Sequence, residues 1–180
     1  MKQILVTLAL LISFSNLVLA QETKQEEKSL QKLPSVTLKT ADGKTINTAD
    51  LTNDGKPIII SFWALWCKPC IKELTTISEV YDEWVTETGV KLYAVSIDDS
   101  RSSARVKPTA DGKNWEYEIL LDVNSDFKRA MNVNLIPHTF LLNGKGEIVW
   151  QHTSFSEGSE LELIELVKKV ARGESLESHN

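Results

Sequence analysis

The chain has 180 residues, an apolar fraction of 42% and a formal net charge of −5 at pH 7. This length suits one globular domain with terminal tails, and the apolar fraction is ordinary for a packed core. The acidic charge argues against a nucleic-acid partner, because binding to phosphate groups needs a basic face.

The N-terminus carries the pattern of a secretory signal peptide. Lys2 precedes an apolar stretch from Ile4 to Leu19, and the small residue Ala20 follows. The alternative is an uncleaved anchor, but the apolar run is short for a membrane span, which needs about 20 residues. We therefore expect cleavage after Ala20, export to the periplasm of a bacterium, and no stable membrane insertion afterwards.

The remaining chain divides into three parts. Residues 21–34 are polar and charge-rich, which predicts a flexible linker. Residues 35–173 have the pattern of one domain, and residues 174–180 form a polar tail. The domain begins with a predicted β-hairpin whose turn is Asp42-Gly43, a strong hairpin signal.

Two cysteines stand between a strand pattern and a helix pattern. The stretch Pro57–Trp63 is apolar and β-branched, as in a buried strand. The segment Trp66–Cys70 follows and contains the only two cysteines of the chain. Apolar residues then recur at three- and four-residue steps, which predicts one face of a helix ending at Gly89. These residues are Ile71, Leu74, Ile77, Tyr81 and Trp84.

The position of the cysteines between a strand and a helix favours disulfide exchange. Cys67 and Cys70, three residues apart in a first helical turn, can form a disulfide. The helix N-terminus and the neighbouring Lys68 favour a thiolate at Cys67, and Pro69 fits a first turn because its missing N–H costs nothing there. Such a thiolate attacks a disulfide in a partner, and the second thiol resolves the mixed disulfide.

Two other uses of the cysteines remain open. Half of a zinc site is one, but structural zinc needs four ligands, and the three histidines are distant in sequence. A purely structural disulfide is the other, although so short a loop constrains the unfolded chain little.

Further elements follow along the chain. Residues 90–97 and 117–121 have strand patterns, and a short helix before Pro108 and a turn at Asp111-Gly112 are predicted between them. Asn124 or Ser125 is expected to cap the next helix. A hairpin covers residues 139–150, and a final helix precedes Gly173. The order predicts an α/β fold, with a mixed sheet flanked by helices on both faces.

The segment Phe62–Cys70 resembles the active site of the thioredoxin-like superfamily, and most closely that of the exported TlpA/ResA-like thiol–disulfide oxidoreductases. Ile136-Pro137 is similar to the cis-proline segment of that family. The hairpin at residues 139–150 and an insertion before the third helix also match, so the resemblance covers roughly residues 34–171. It implies a thioredoxin-like three-layer fold with an N-terminal β-hairpin.

The resemblance also implies roles. Cys67 would be the attacking, more exposed thiol and Cys70 the buried, resolving thiol. Pro137 would be cis and would leave the backbone of Ile136 open to a substrate chain, although a trans proline at a strand start is the alternative. Trp66 would pack beside the thiols, unless it is an ordinary semi-exposed aromatic.

Several residues depart from the family pattern or extend it. Ser61 occupies the position of a buried aspartate in thioredoxin, so proton transfer would fall to Glu73, which is similar to an acid common in the family. On the exposed side of its helix Glu73 would be only a surface charge. Thr75 replaces a frequent proline, which predicts a straighter helix. His138 replaces a common threonine, and it either tunes the thiolate or points away.

The expected function is that of an enzyme, a thiol–disulfide oxidoreductase that works as a reductant on disulfide-containing protein substrates, for example in cytochrome c maturation. It would exchange electrons with a membrane donor or acceptor and need no metal or organic cofactor. One rival is a peroxiredoxin-like peroxidase, but its reactive cysteine normally follows a threonine, whereas Leu65 and Trp66 precede Cys67. The other rival is a non-enzymatic module that binds copper or a partner through the same cysteines, with His138 assisting.

Overall fold

The computed structural model describes residues 30–176. The predicted signal peptide, most of the predicted linker and the end of the polar tail lie outside these residues. Within residues 30–176, no helix has both the length and the apolar character that crossing a membrane requires.

One seven-stranded mixed sheet forms the centre of the domain. Its strands are β1 Thr37–Thr40, β2 Thr45–Asn47, β3 Ile58–Trp63, β4 Lys91–Ser96, β5 Glu118–Leu121, β6 His138–Leu142 and β7 Ile148–Thr153. They lie in the order β2-β1-β5-β4-β3-β6-β7. The central strands β3, β4 and β5 are parallel, whereas β1 and β6 join them antiparallel. The predicted mixed sheet and N-terminal hairpin are confirmed.

Within residues 30–176, five α-helices cover the two faces of the sheet. They are α1 Lys68–Ser78, α2 Tyr81–Thr88, α3 Val106–Gly112, α4 Asp126–Ala130 and α5 Ser159–Ala171. Residues of α1, α2, α3 and α5 share one core cluster with Ile59 and Trp63. Phe127 of α4 belongs to a second cluster with Ile60 and Phe62. Because side chains alternate along a strand, β3 contributes to both clusters, and the predicted three-layer arrangement is confirmed.

The helix predicted from the cysteines to Gly89 is two helices. Val80 leaves the helical conformation, with φ −126° and ψ 4°, and separates α1 from α2. Gly89 ends α2 with φ 67°, as predicted. Pro108 and Asp111-Gly112 lie inside α3, not after it. Pro108 is its third residue, where no intrahelical N–H bond is lost.

The N-terminal part of the described chain runs along the edge of the sheet. Lys32 forms an antiparallel bridge with Glu147, and the Ile148 N–H donates to the Gln31 carbonyl at 2.7 Å. Leu33 packs against the second core cluster. The packed part of the chain therefore begins upstream of residue 35.

Two turns meet at the end of the sheet where β3 begins. Gly55 lies in the connection before β3, and Gly144 lies in the turn between β6 and β7. A Cβ atom placed on Gly144 would be 2.0 Å from the Gly55 carbonyl oxygen. Only glycine allows this backbone approach.

Candidate active site

Cys67 lies just beyond the carboxyl end of β3. It is the N-cap residue of α1, and its N–H donates to the Ala64 carbonyl at 3.0 Å. Ligands of open α/β sheets bind at this end of parallel strands. The strand and helix patterns of the sequence predicted this position.

Asp98 fixes the loop that leads to Cys67. Its buried carboxylate accepts hydrogen bonds from the Leu65 N–H and the Ser96 hydroxyl, both at 2.9 Å. Its other oxygen is 3.2 Å from the Ser102 hydroxyl. The segment after β4 is thereby joined to the segment after β3. Sequence reasoning did not find this link, and its only signal is an acidic residue directly after a buried strand.

Cys67 and Cys70 form a disulfide with a Cα–Cα distance of 5.3 Å. The Cys70 N–H points to the Cys67 sulfur at 3.3 Å, so a first-turn N–H of the helix is directed at this atom. Pro69 is the second residue of α1, where it lacks no hydrogen bond. Cys67 is 5% exposed and Cys70 is 0% exposed. Cys67 is therefore the less buried of the two, and the helix N-terminus favours its thiolate over that of Cys70.

Glu73 is buried on the inner face of α1, one turn after Cys70. The Thr139 hydroxyl donates to its Oε1 at 2.9 Å, and Thr139 Oγ1 is also 3.2 Å from Ser61 Oγ. Its Oε2 has no hydrogen-bond partner among the described residues. Burial raises the pKa of Glu73 to about 7, and the Thr139 hydrogen bond opposes this rise. The carboxyl group can therefore gain and lose a proton near neutral pH.

A narrow cleft connects Glu73 with the surface between α1, the β6–β7 hairpin and α5. His152 and Glu160 are among its lining residues. It leaves about 20 Å³ for a water-sized sphere, which is enough for one water molecule. The buried Glu73 is thus one of the residues that line a cleft able to hold a water molecule.

The segment before β6 lies at the same edge of the sheet as Cys67. His138 is opposite Phe62 in the antiparallel β3–β6 pair, which places the preceding Pro137 beside the end of β3. The Ile136–Pro137 bond is cis. The backbone N–H and C=O of Ile136 make no hydrogen bond to another described residue. Together these features leave a short free backbone edge near the cysteines.

Two large apolar side chains at this edge are exposed. Trp66 is 68% exposed and Leu135 is 69% exposed. Most of the Trp66 side chain therefore faces solvent.

His138 and the two cysteines lie on opposite faces of the sheet. Its ring stacks on Phe140 at a centroid distance of 4.3 Å, and its Nε2 is 3.2 Å from Gln151 Oε1. Phe140 belongs to the core cluster of α4, whereas Cys67 and Cys70 belong to the other cluster. Burial lowers the pKa of His138, with the Gln151 contact opposing this. The structure does not bring this imidazole together with the thiols.

Residues 30–176 contain both cysteines and two of the three histidines of the chain. In this part of the chain, no three or more histidine, cysteine, aspartate or glutamate side chains form a group that could hold a metal ion.

The sequence matches the family model described as the AhpC/TSA family over residues 30–151. It is 31% identical over 116 residues to the thiol-disulfide oxidoreductase ResA of Bacillus subtilis (strain 168), covering 64% of this chain and 62% of that protein. It is 33% identical over 126 residues to the sporulation thiol-disulfide oxidoreductase A of the same organism, covering 69% of this chain and 74% of that protein.

Solved structures agree with this assignment. An uncharacterized thioredoxin-like protein from Porphyromonas gingivalis is 52% identical, with a TM-score of 0.72, and the match covers 85% of this chain and 100% of that one. StoA from Bacillus subtilis is 26% identical, with a TM-score of 0.57, and the match covers 74% and 97% respectively. The chain belongs to the AhpC/TSA family and is a thiol–disulfide oxidoreductase with a thioredoxin-like fold.

Proposed function

We propose that this enzyme reduces disulfides in exported proteins, with Cys67 as the attacking thiol and Cys70 as the resolving thiol. The observation that supports these roles is the unequal placement of the pair. Cys67 is at the helix N-terminus and on the outer side, whereas Cys70 is fully buried behind it. The names of the relatives support the reaction class.

The proposed reaction starts from the dithiol. The Cys67 thiolate attacks one sulfur of the substrate disulfide, whose S–S bond breaks while a mixed disulfide forms. The first substrate sulfur leaves as a thiolate and takes a proton. The Cys70 thiolate then attacks the Cys67 sulfur, and the second substrate sulfur leaves and is protonated. Two electrons and two protons have passed to the substrate, and the enzyme holds the Cys67–Cys70 disulfide.

Glu73 is proposed to accept the proton of Cys70 in the second step. Residues three apart on a helix have Cβ atoms about 5–6 Å from each other, so the two buried groups are neighbours. A carboxyl group with a pKa of about 7 is a suitable base near neutral pH. Thr139 is a positioning residue, because its hydroxyl holds one oxygen of this carboxyl.

Protein substrates fit the free edge at Ile136. An extended substrate segment can pair with this backbone while its disulfide approaches Cys67. We propose that oxidised apocytochromes, in cytochrome c maturation, are among these substrates. A membrane electron donor would reduce the enzyme again, and the exported location follows from the predicted signal peptide. No metal or organic cofactor is proposed, because both electrons travel with the sulfur atoms.

The reduction potential of the Cys67–Cys70 couple tests the direction of electron flow. Equilibration of the chain with glutathione or dithiothreitol buffers would measure it. A value near that of thioredoxin, about −270 mV, is expected for a reductant. A value near about −120 mV would show an enzyme that inserts disulfides, which is contrary to the proposal.

Variants test the roles of the two thiols. With an insulin-type substrate, Cys70→Ser should accumulate a mixed disulfide, because the resolving attack is lost, and Cys67→Ser should form none. Mass spectrometry after acid quenching would identify the adduct. An adduct on Cys70 in the Cys67→Ser variant, formed as quickly as that on Cys67, would reverse the assignment.

A further inference from the structure

The surface around Cys67 combines apolar and basic side chains. Trp66 and Leu135 are two of the large apolar residues that the described chain exposes; Trp66 directly precedes Cys67, and Leu135 directly precedes the Ile136-Pro137 segment. Scattered single apolar residues are normal on a surface, but two at one edge, beside an unpaired backbone segment, indicate contact with a partner.

Three basic side chains are exposed on the two segments that follow β3 and β4, at the same end of the sheet. Lys68 and Lys72 are exposed one helical turn apart on α1, and Arg101 is exposed on the segment that Asp98 joins to Leu65. Among residues 30–176, no acidic side chain forms an ion pair with any of the three. Their charges are therefore available to an incoming molecule.

Two acidic residues, Asp98 and Asp99, lie close to Arg101 in the sequence, and both accept hydrogen bonds. Asp98 is buried and bonded to the two loops. Asp99 is exposed, and its carboxylate accepts hydrogen bonds from the Ser102 hydroxyl and from the Arg101 and Ser102 N–H groups, which lower its pKa and keep it ionised. The positive end of α1 adds to the local positive potential. The three basic side chains and the helix N-terminus outnumber these two carboxylates, so this edge is less acidic than the chain as a whole, whose net charge is −5.

We propose that the substrate segment is acidic: an extended, disulfide-bearing segment with carboxylates beside its cysteine and an apolar side chain against Trp66 and Leu135. This inference rests on the proposed function and names its substrate class. Complementary charge acts mainly on the rate of encounter and on the choice among partners, so it selects substrates without changing the sulfur chemistry.

Two synthetic peptide disulfides test the proposal. They share one sequence and differ only in carrying glutamates or lysines beside the cysteine. The pre-reduced chain should reduce the acidic peptide about five times faster or more at about 10 mM salt. At about 1 M salt, where charges more than about 3 Å apart are screened, the ratio should approach one.

A matched pair of variants locates the effect. Lys72→Glu should lower the ratio of the two rates at least by about half, because it reverses one charge beside the site. Lys145→Glu makes the same change in the β6–β7 turn, at the opposite end of the antiparallel β3–β6 pair, and should keep the wild-type ratio. The ratio compares two substrates on one protein, so a partial loss of folded enzyme does not affect it.

The outcomes separate this proposal from the function on which it rests. Equal rates for the two peptides at low salt, faster reduction of the basic peptide, or equal effects of the two variants would overturn the acidic-substrate proposal alone. Failure of the reduced chain to reduce either peptide would overturn the proposed reductase function as well.

Discussion

Glu73 is a carboxyl group in an environment that disfavours its usual charged form. It is buried with one oxygen bonded to Thr139 and the other without a partner in the described part of the chain. Burial makes the ionised form costly, which is why its pKa rises from 4.5 to about 7. The same placement that makes it a suitable base reduces the stability of the folded chain at high pH.

The stability cost of Glu73 has a defined pH range. The folded state binds its proton more tightly than the unfolded state, so the free energy of unfolding falls as pH rises from 4.5 to about 7. Below this range both states are protonated and no penalty exists. In the disulfide form, Glu73→Gln should therefore gain roughly 2–3 kcal/mol over wild type between about pH 4 and about pH 8.

Urea unfolding at the two pH values would measure this difference. Glu83→Gln is the control, because Glu83 is exposed on α2, and it should follow wild type at both pH values. A difference between Glu73→Gln and wild type that does not change with pH would contradict the raised pKa.

Thr139 should set the pKa of Glu73 through a single hydrogen bond. Thr139→Val removes the hydroxyl that stabilises the ionised carboxyl, so the pKa of Glu73 should rise further above its present value of about 7. A carboxyl-detected NMR titration of the disulfide form would show the shift. Thr139→Ser keeps the hydroxyl, so Glu73 should titrate in this variant as it does in wild type. If Glu73 has the same pKa in Thr139→Val as in wild type, the Thr139 hydrogen bond does not set it.

At the scale of elements, the helix after the cysteines shows what periodicity cannot detect. The spacing of Ile77, Tyr81 and Trp84 is the same across the break as within a helix, and Val80 is not a helix-breaking residue type. The break is held by tertiary contacts. The Tyr81 hydroxyl accepts from the Leu92 N–H at 2.9 Å, and its ring packs edge-on against Tyr117 at 5.0 Å. A local pattern contains neither contact.

The N-terminus of α4 is capped by a residue other than the two that the sequence predicted. Asp122 accepts from the Phe127 N–H at 3.2 Å and from the Lys128 N–H at 2.8 Å. Neither Asn124 nor Ser125 provides a side-chain cap, and Ser125 has a φ of 56°. The cap acts across a turn, so a search for a polar residue directly before the helix does not find it.

Loss of this cap should destabilise the domain. Asp122→Ala leaves two N–H groups at the start of α4 without an acceptor, and we expect a cost of about 1–2 kcal/mol in the free energy of unfolding. Asp126→Ala is the matched control, because Asp126 is exposed and pairs only with Arg129 on the surface, and it should cost less. Equal losses in denaturant titrations would show that the cap is not the cause.

At the scale of the whole molecule, Gly144 and Gly55 join two distant turns at the end of the sheet opposite the cysteines. Gly144→Ala places a carbon against the Gly55 carbonyl, so both backbones must move, and we expect a loss of about 1–3 kcal/mol in the free energy of unfolding. Gly112→Ala is the control. It lies in α3 with no atom within 4 Å of an added Cβ, and it should be neutral or stabilising. If thermal unfolding shows similar effects for both, the close approach is not important for stability.

The sequence predicts the layers of this molecule and the place of the cysteines better than it predicts the support around them. The apolar strands, the helix face and Cys67–Cys70 all have local patterns, and Ile136-Pro137 is found by resemblance. Thr139 bonds to Glu73 and is itself close to Ser61 on the neighbouring strand, and the only sequence signal of either residue is a polar residue within an apolar strand. Asp98 and Asp122 are similar cases, because each bonds to residues that the fold alone brings near.

The bridge between Lys32 and Glu147 determines which end of the domain faces a surface to which its N-terminal segment is attached. It lies beside the β6–β7 turn, at the end of the sheet where β3 begins, whereas Cys67 lies where β3 ends. Any attachment upstream of Leu30, to a membrane or to a solid support, therefore pulls on the end remote from the disulfide. A molecule immobilised in this way would present Cys67 outward, and its reaction rate with large substrates should depend little on the crowding of that support.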